Sequence, residues 1–168
     1  MGINIQVMKE QIKSVEIHPK PDVRIRVIED TDTNETKQAK VKYPFELFCT
    51  VTVTVKTDKR QFEFDIYNGY TYNGSDIPRC LWSLVGSRTD TQFLIAALVH
   101  DYALEMKAFI YKEILKQSIS IAEYRRLTSL MFREKLKDCG VNTVKANIMS
   151  WAVDVFQHYG NRKGWKVK

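Results

Sequence analysis

Two periodicities divide the chain. Up to about residue 67, apolar and polar positions alternate. Val23, Ile25 and Val27 alternate with Asp22, Arg24 and Arg26; Val51, Val53 and Val55 with Thr50, Thr52 and Thr54; Phe62, Phe64 and Ile66 with Gln61, Glu63 and Asp65. Side chains on a strand point to opposite faces in turn, so a period of two predicts strands buried on one face. Thr57-Asp58-Lys59 predicts the turn of a hairpin between the last two runs, and residues 3–18 alternate in part and predict a further strand. The polar stretch TDTNETKQAK, residues 31–40, reads as a mobile loop.

Beyond residue 81 the period becomes helical. Thr89 or Asp90 is placed to cap a helix running through Phe93 and His100 to about Ala108. Ser120 and Glu123 have the spacing of a capping box for a second helix, which Gly140 would end. Asn142 or Thr143 opens a third, with Val144, Ile148, Trp151, Ala152, Val155 and Tyr159 on one face and Gly160 as its stop. Strands followed by helices predict an α+β fold: an N-terminal antiparallel β-sheet followed by a C-terminal layer of three to four helices. No repeat or linker interrupts the 168 residues, so a single domain is expected, with 1–67 mainly strands, 68–80 an ordered crossing loop and 81–168 mainly helices.

The crossing, YNGYTYNGSDIPRC, holds two Asn-Gly pairs, which favour tight turns with positive φ, and a Pro78 positioned to begin a short helix through Trp82 and Leu84. Just beyond it, ALVHDY places His100 and Asp101 in the middle of an apolar run. A buried unpaired charge costs several kcal/mol, so each group needs a partner. Neighbours on a helix point about 100° apart, so the two are not expected to bond to each other. The nearest polar groups are Asn68, Asn73, Ser75, Asp76 and Arg79, and the crossing is therefore expected to fold over the helix. Asp76 would orient His100 or share a metal or water with it; Asp101 would receive Arg79 or backbone N–H groups.

Two roles for this pair stay open. In one, His100 and Asp101 pin the crossing to the helix through buried hydrogen bonds. In the other, His100 is a general base or a ligand of a divalent metal, with Asp76 and Asp101 in support; burial beside a carboxylate tunes an imidazole for such work. Spacing alone favours pinning. Tyr70, Tyr72 and Tyr102 join Asn73 and Arg79 as candidate binding residues, the rings being able to stack on a base or sugar. His18 and His158 read as exposed. No phosphate-binding glycine loop, G-x-S-x-G, H-E-x-x-H or calcium-loop pattern is present.

Charge and cysteine content narrow the classes. The net charge of +6 allows nucleic acid, anionic cell-wall polymers or an acidic protein as partners. The excess lies late, at Arg133, Lys135, Lys137, Arg162, Lys163, Lys166 and Lys168, and reads first as solvated helix faces with a basic tail. Three widely spaced cysteines, Cys49, Cys80 and Cys139, argue against a disulfide framework and against structural zinc; at least one is expected in the core. No apolar run approaches the roughly 20 residues of a membrane span. The N-terminus lacks a secretory pattern and has Gln6 where a myristoylation signal wants Ser or Thr.

Gly74, Ile77-Pro78-Arg79, Trp82, Ala97, His100-Asp101-Tyr102, Phe132 and Gly140-Val141 together resemble the domain of unknown function 1353 family, over roughly residues 62 to 165. That family is found mostly in bacteriophages and prophages, so the resemblance implies other phage proteins or a host component as partners, and the host cytoplasm or the virion as location. Its loop usually reads Thr-Asp-Gly-Ala-Ser before Ile-Pro, where this chain has Tyr72, Asn73, Gly74, Ser75 and Asp76; a further family Asp falls on Ser129. The His-Asp pair also resembles that of phospholipases A2, although Tyr102 comes one residue early and the framing cysteines are missing. Because the family carboxylates are altered, the reading favours a non-enzymatic virion or host-interaction component. The alternatives are a metal-assisted or His-dependent hydrolase of cell-wall or phosphoester substrates, and a basic nucleic-acid-binding protein.

Overall fold

Alternation in the first half produces two small antiparallel sheets, where a single sheet was expected. A computed structural model describes residues 9–74 and 91–159. The first sheet has the order β1–β4–β5, with β1 Ile12–His18, β4 Val51–Thr57 and β5 Gln61–Ile66. Its register places Val15 opposite Val55, Val53 opposite Phe64 and Val55 opposite Phe62. The inward row Val51, Val53, Val55, Phe62, Phe64 and Ile66 is buried, and the intervening threonines and acids face outward in pairs, Thr52 to Asp65 and Thr54 to Glu63. The turn at Thr57–Arg60 is held by Thr57 N–H donating to the Arg60 carbonyl at 2.8 Å.

The second sheet has the order β2–β3–β6, with β2 Val23–Ile25, β3 Phe45–Leu47 and β6 Thr71–Tyr72. The alternating run at 23–27 yields only this short edge strand, and Ile25 and Val27 are exposed. An edge strand has one neighbour and little cover, so alternation alone does not bury its apolar row.

Residues 31–40 are not a loop throughout. Thr33 caps α1, Asn34–Lys42, by accepting from Thr36 N–H at 3.2 Å, and Lys40 reaches back to Asp32 at 2.7 Å and to the Val27 carbonyl at 2.8 Å. This helix buries no residue. A cap followed by Lys, Gln and Ala suffices to form it, and the absence of an apolar stripe is what hid it.

Among the described residues, three helices form the second layer: α2 Thr91–Glu105, α3 Ile121–Asp138 and α4 Thr143–Tyr159. Ser120 caps α3 as expected, accepting from Glu123 N–H at 3.1 Å. The return half of the capping box is not made: the Glu123 carboxylate turns instead to Arg126 and to Glu10 N–H. Gly140, at φ 89°, ends α3, and Asn142 starts α4 by accepting from Val144 N–H. Between α2 and α3 lie a short helical turn, Lys107–Phe109, and a π-helical turn, Ile110–Ile114.

α3 packs against α2, α4 and β1. One core joins β1, β4 and β5 to α2 and α3 through Val53, Phe64, Leu98, Tyr102, Leu127 and Met131. A second joins α2, α3 and α4 through Phe93, Ala96, Phe132, Leu136, Met149 and Val153. The apolar face read along α4 is turned outward for most of its length. Val144, Trp151 and Tyr159 are exposed, while Ala146, Met149, Ala152 and Val153 meet the core. α4 is thus apolar on two sides, and pattern alone does not say which side the core takes.

Side chains of α3 close the outer edge of β1. Lys135 Nζ donates to the Val15 carbonyl at 2.9 Å, and Arg126 donates to the Glu10 carbonyl. Arg126 beside it also holds the Glu123 carboxyl below its ordinary 4.5, chiefly by hydrogen bonding to it. A depressed carboxylate stabilises the fold above its unfolded pKa, and that stability is lost as pH falls through the folded value. Urea unfolding followed from about pH 6 to about pH 3 is therefore expected to show stability falling below about 4.5, and Glu123→Gln is expected to flatten that acid limb.

Candidate functional site

The crossing does lie against α2, as far as residue 74. After β5, Tyr67–Tyr70 forms a tight turn with Gly69 at φ 86°, its N–H donating to the Leu47 carbonyl at 2.8 Å. β6 then pairs with β3, Tyr72 opposite Phe45. Gly74, at φ 83°, sits over the Phe45 ring, where an added Cβ would lie 2.7 Å from Cε2. From this segment Tyr72 donates its hydroxyl to the Leu94 carbonyl at 2.9 Å, in a fully buried bond. Tyr70 donates to Glu105 Oε2 at 2.9 Å and stacks on Tyr72. Asp76 and Arg79, assigned roles at this site from sequence, lie outside the described residues, as do Ser75, Cys80, Trp82 and the expected helix caps Thr89 and Asp90.

Phe93, Leu94, Ala96, Ala97, Leu98 and Val99 of α2 are all buried, which is why this helix reads as apolar all round. His100 continues that buried run: its side chain is 2% exposed, and its ring lies 5.5 Å from that of Phe132 on α3. Asp101, at 15% exposed, turns to the other side. Contrary to the expectation from helical angles, the two contact each other, His100 Nδ1 lying 3.3 Å from Asp101 Oδ1. The angle between Cα–Cβ bonds does not decide this, because side-chain rotation brings the two groups back together. His100 Nε2 and, on α3, Ser129 Oγ are buried and have no hydrogen-bond partner among the described residues.

The open space beside this pair is a cleft of about 150 Å³ between the crossing and α2. Asp101, Leu104 and Glu105 line it from the helix, Tyr70, Tyr72 and Asn73 from the crossing, and Tyr43 from the end of α1. Burial, with the negative charge of Asp101 and Glu105 behind it, pushes the Tyr70 hydroxyl far up, and burial followed by Asp101 does the same for Tyr72. Both phenols stay protonated and act as donors. With those donors spent on Glu105 and the Leu94 carbonyl, the cleft opposes tyrosine rings and their oxygens to the carboxylates of Asp101 and Glu105.

Of the residues named from sequence, the structure brings Asp101, Asn73, Tyr70 and Tyr72 to one cleft. His100 is close but lies behind the cleft wall. Tyr102, expected to bind, is 7% exposed and belongs to the core, stacked on Phe64 at 5.9 Å and edge-on to Tyr70. Its ring buries a large apolar area that water would otherwise cover, and that is the stronger demand. His18 is exposed; His158, also expected to be exposed, is partly covered and contacts Arg125. Cys49 and Cys139 are each partly covered, so neither is the core cysteine expected. The late basic residues Arg133, Lys135 and Lys137 are tied into ion pairs with Glu134 and Asp138. Among the described residues no three His, Cys, Asp or Glu side chains converge as a metal would require.

Sequence reading missed Glu105 and Tyr43. Glu105 follows Asp101 by four residues, one helical turn, so the spacing that puts both carboxylates on one face was present. Tyr43 ends a helix that was read as loop, and nothing local marks it.

Residues 49–153, from just before β4 into α4, match a family described as protein of unknown function (DUF1353). No curated protein and no solved structure matches the chain.

The two glycines of the crossing separate backbone from packing effects. Gly69 has open space where a Cβ would go, so Gly69→Ala is expected to cost about 1 kcal/mol, from its positive φ alone. Gly74→Ala adds a clash with Phe45 and is expected to cost about 2–4 kcal/mol. Chemical denaturation of the two variants checks the ordering.

Proposed function

The chain belongs to the DUF1353 family, and on that footing we propose that it acts by binding, as a non-enzymatic component of a bacteriophage particle or of its contact with the host, with the α2 cleft as its ligand site. The observation that carries this reading is the position of His100. A general base works within about 2.6–3.2 Å of the proton it takes, directly or through one water. The His100 ring is 2% exposed, faces Phe132 and has Asp101 between it and the open space. The groups that do face the cleft suit hydrogen bonding to a ligand: protonated phenols, the Asn73 amide, and the carboxylates of Asp101 and Glu105.

Donors, acceptors and aromatic ring in one small cleft suit a polyhydroxylated ring. Carboxylates and phenol oxygens accept from sugar hydroxyls, the Asn73 amide group donates to them, and aromatic surface covers the apolar face of the ring. A volume of about 150 Å³ admits one such ring or headgroup, not a polymer segment. A host-surface glycan end is the ligand this chemistry favours. The phage setting is supported by the resemblance noted in the sequence and by nothing in the cleft itself.

Titration calorimetry of the full chain with monosaccharides and cell-wall fragments tests the reading. Binding without consumption of ligand is expected, with Asp101→Asn weakening it about tenfold or more, the cost of losing a hydrogen bond to a charged group. His100→Ala is expected to lower stability by about 2 kcal/mol or more through the cavity it leaves. Hydrolysis of any such ligand, abolished by Asp101→Asn in a folded protein, would overturn the binding reading in favour of catalysis.

A further inference from the structure

The outer sides of α3 and α4 enclose a second recess, of about 340 Å³, remote in sequence from the crossing and lined on one wall by Arg126, Ser129 and Arg133 and on the other by Asn147, Ser150 and Trp151. Its size lies within the range of small-molecule sites, about 300–1,000 Å³. Three features of it are unexplained by the fold.

The first is Trp151. Its indole is 67% exposed on a helix whose core-facing side is complete without it. The second is the pair of guanidinium groups one wall supplies. Glu134 takes the Nε and Nη2 side of Arg133, and Glu123 takes the same side of Arg126. Arg126 Nη2 also donates to the Glu10 carbonyl. Each guanidinium is thereby fixed in direction with its Nε–Nη2 fork taken, and what it offers a phosphate is the charge-assisted donation of its Nη1 group. The third is Ser129. Its side chain is 2% exposed, and its Oγ has no hydrogen-bond partner among the described residues, although its carbonyl is taken by Ser150 Oγ at 2.7 Å. A buried hydroxyl without a partner costs free energy that a ligand bond would recover. The acid in this recess, Asp154, stands 3.3 Å from Arg125, which offsets its charge without a hydrogen bond, and its side chain is 32% exposed.

A flat aromatic surface beside two oriented guanidiniums matches a nucleobase beside a phosphate. We propose that the α3–α4 recess binds one nucleotide unit, its base stacked on Trp151 and its phosphate held by Arg133 and Arg126, as part of a single-stranded nucleic acid. The glutamates that orient the arginines also offset their charge. Stacking therefore carries much of the affinity, and the salt dependence is shallow. With one or two phosphates engaged, the slope of log K against log salt is expected near −1, about −0.7 for each phosphate of a single strand.

Anisotropy of a labelled thymidine dodecamer with the full chain tests this. Trp151 is surface-exposed, so Trp151→Ala is expected to melt like the parent protein and to bind at least about tenfold more weakly, since stacking on one base contributes 1–3 kcal/mol by about this measure. Trp151→Phe is expected to recover most of the loss. Arg133→Gln is expected to weaken binding several-fold, whereas Lys37→Gln on α1, which removes the same charge elsewhere, leaves it within about twofold. Thymidine monophosphate as competitor separates the two sources of this chemistry. Competition only by the oligomer assigns a strand; equal competition by the monomer assigns a free nucleotide. Absence of binding by the parent protein would overturn the proposal. So would retention of full affinity by folded Trp151→Ala, or a steep salt slope insensitive to both variants. None of these outcomes bears on the α2 cleft.

Discussion

The buried bond from the Tyr72 hydroxyl to the Leu94 carbonyl joins the two halves of the molecule at the point where the chain has just left its strands. An α-helical carbonyl normally has its own N–H partner four residues on, and a second donor uses its remaining lone pair. The tyrosine thus ties β6 to α2 without breaking the helix. Because β6 is only two residues long, it has little hold on β3, and the tie fixes where the crossing runs. Tyr70 and Asn73, on either side of Tyr72, face α2 on account of it, and the cleft exists between them and Asp101.

This arrangement explains why an apolar helix carries an imidazole and a carboxylate side by side. Asp101 belongs to the cleft wall, and His100 supports it from within at 3.3 Å. The support is incomplete, since His100 Nε2 is buried with no partner among the described residues. Among the described residues Tyr72 and Tyr70 tie the crossing to α2, and His100 contacts Asp101.

How much was legible follows from which physical rule governed each element. Period-two alternation located β4 and β5 because the inward row of each is covered by the core, where the rule's premise holds. It overstated β2, an edge with little cover. Capping chemistry located the start of α3 at Ser120 and its end near Gly140, since both depend on local bonds. α1 was missed because the only apolar pattern sought was a buried one. The outward stripe of α4 shows the converse limit: a helix with two apolar sides gives the correct period and leaves the core side undetermined. At the cleft, Asp101 was found through the His-Asp dipeptide in an apolar run, and Asn73, Tyr70 and Tyr72 through the crossing with its two Asn-Gly pairs. Tyr43 was not, because it arrives through tertiary packing alone.

The cationic side chains laid along β1 have a further consequence for how the strand-rich half behaves in company. An uncovered outer strand displays backbone acceptors that recruit the strands of other molecules. Here Lys135 occupies one of those acceptors, the Val15 carbonyl, and Arg126 takes the Glu10 carbonyl just before the strand begins, both with charged groups that no incoming backbone amide easily displaces. The helical layer therefore does more than fill the space above the sheets. It insulates the β1 margin of the first sheet, where an added strand would otherwise find an open acceptor.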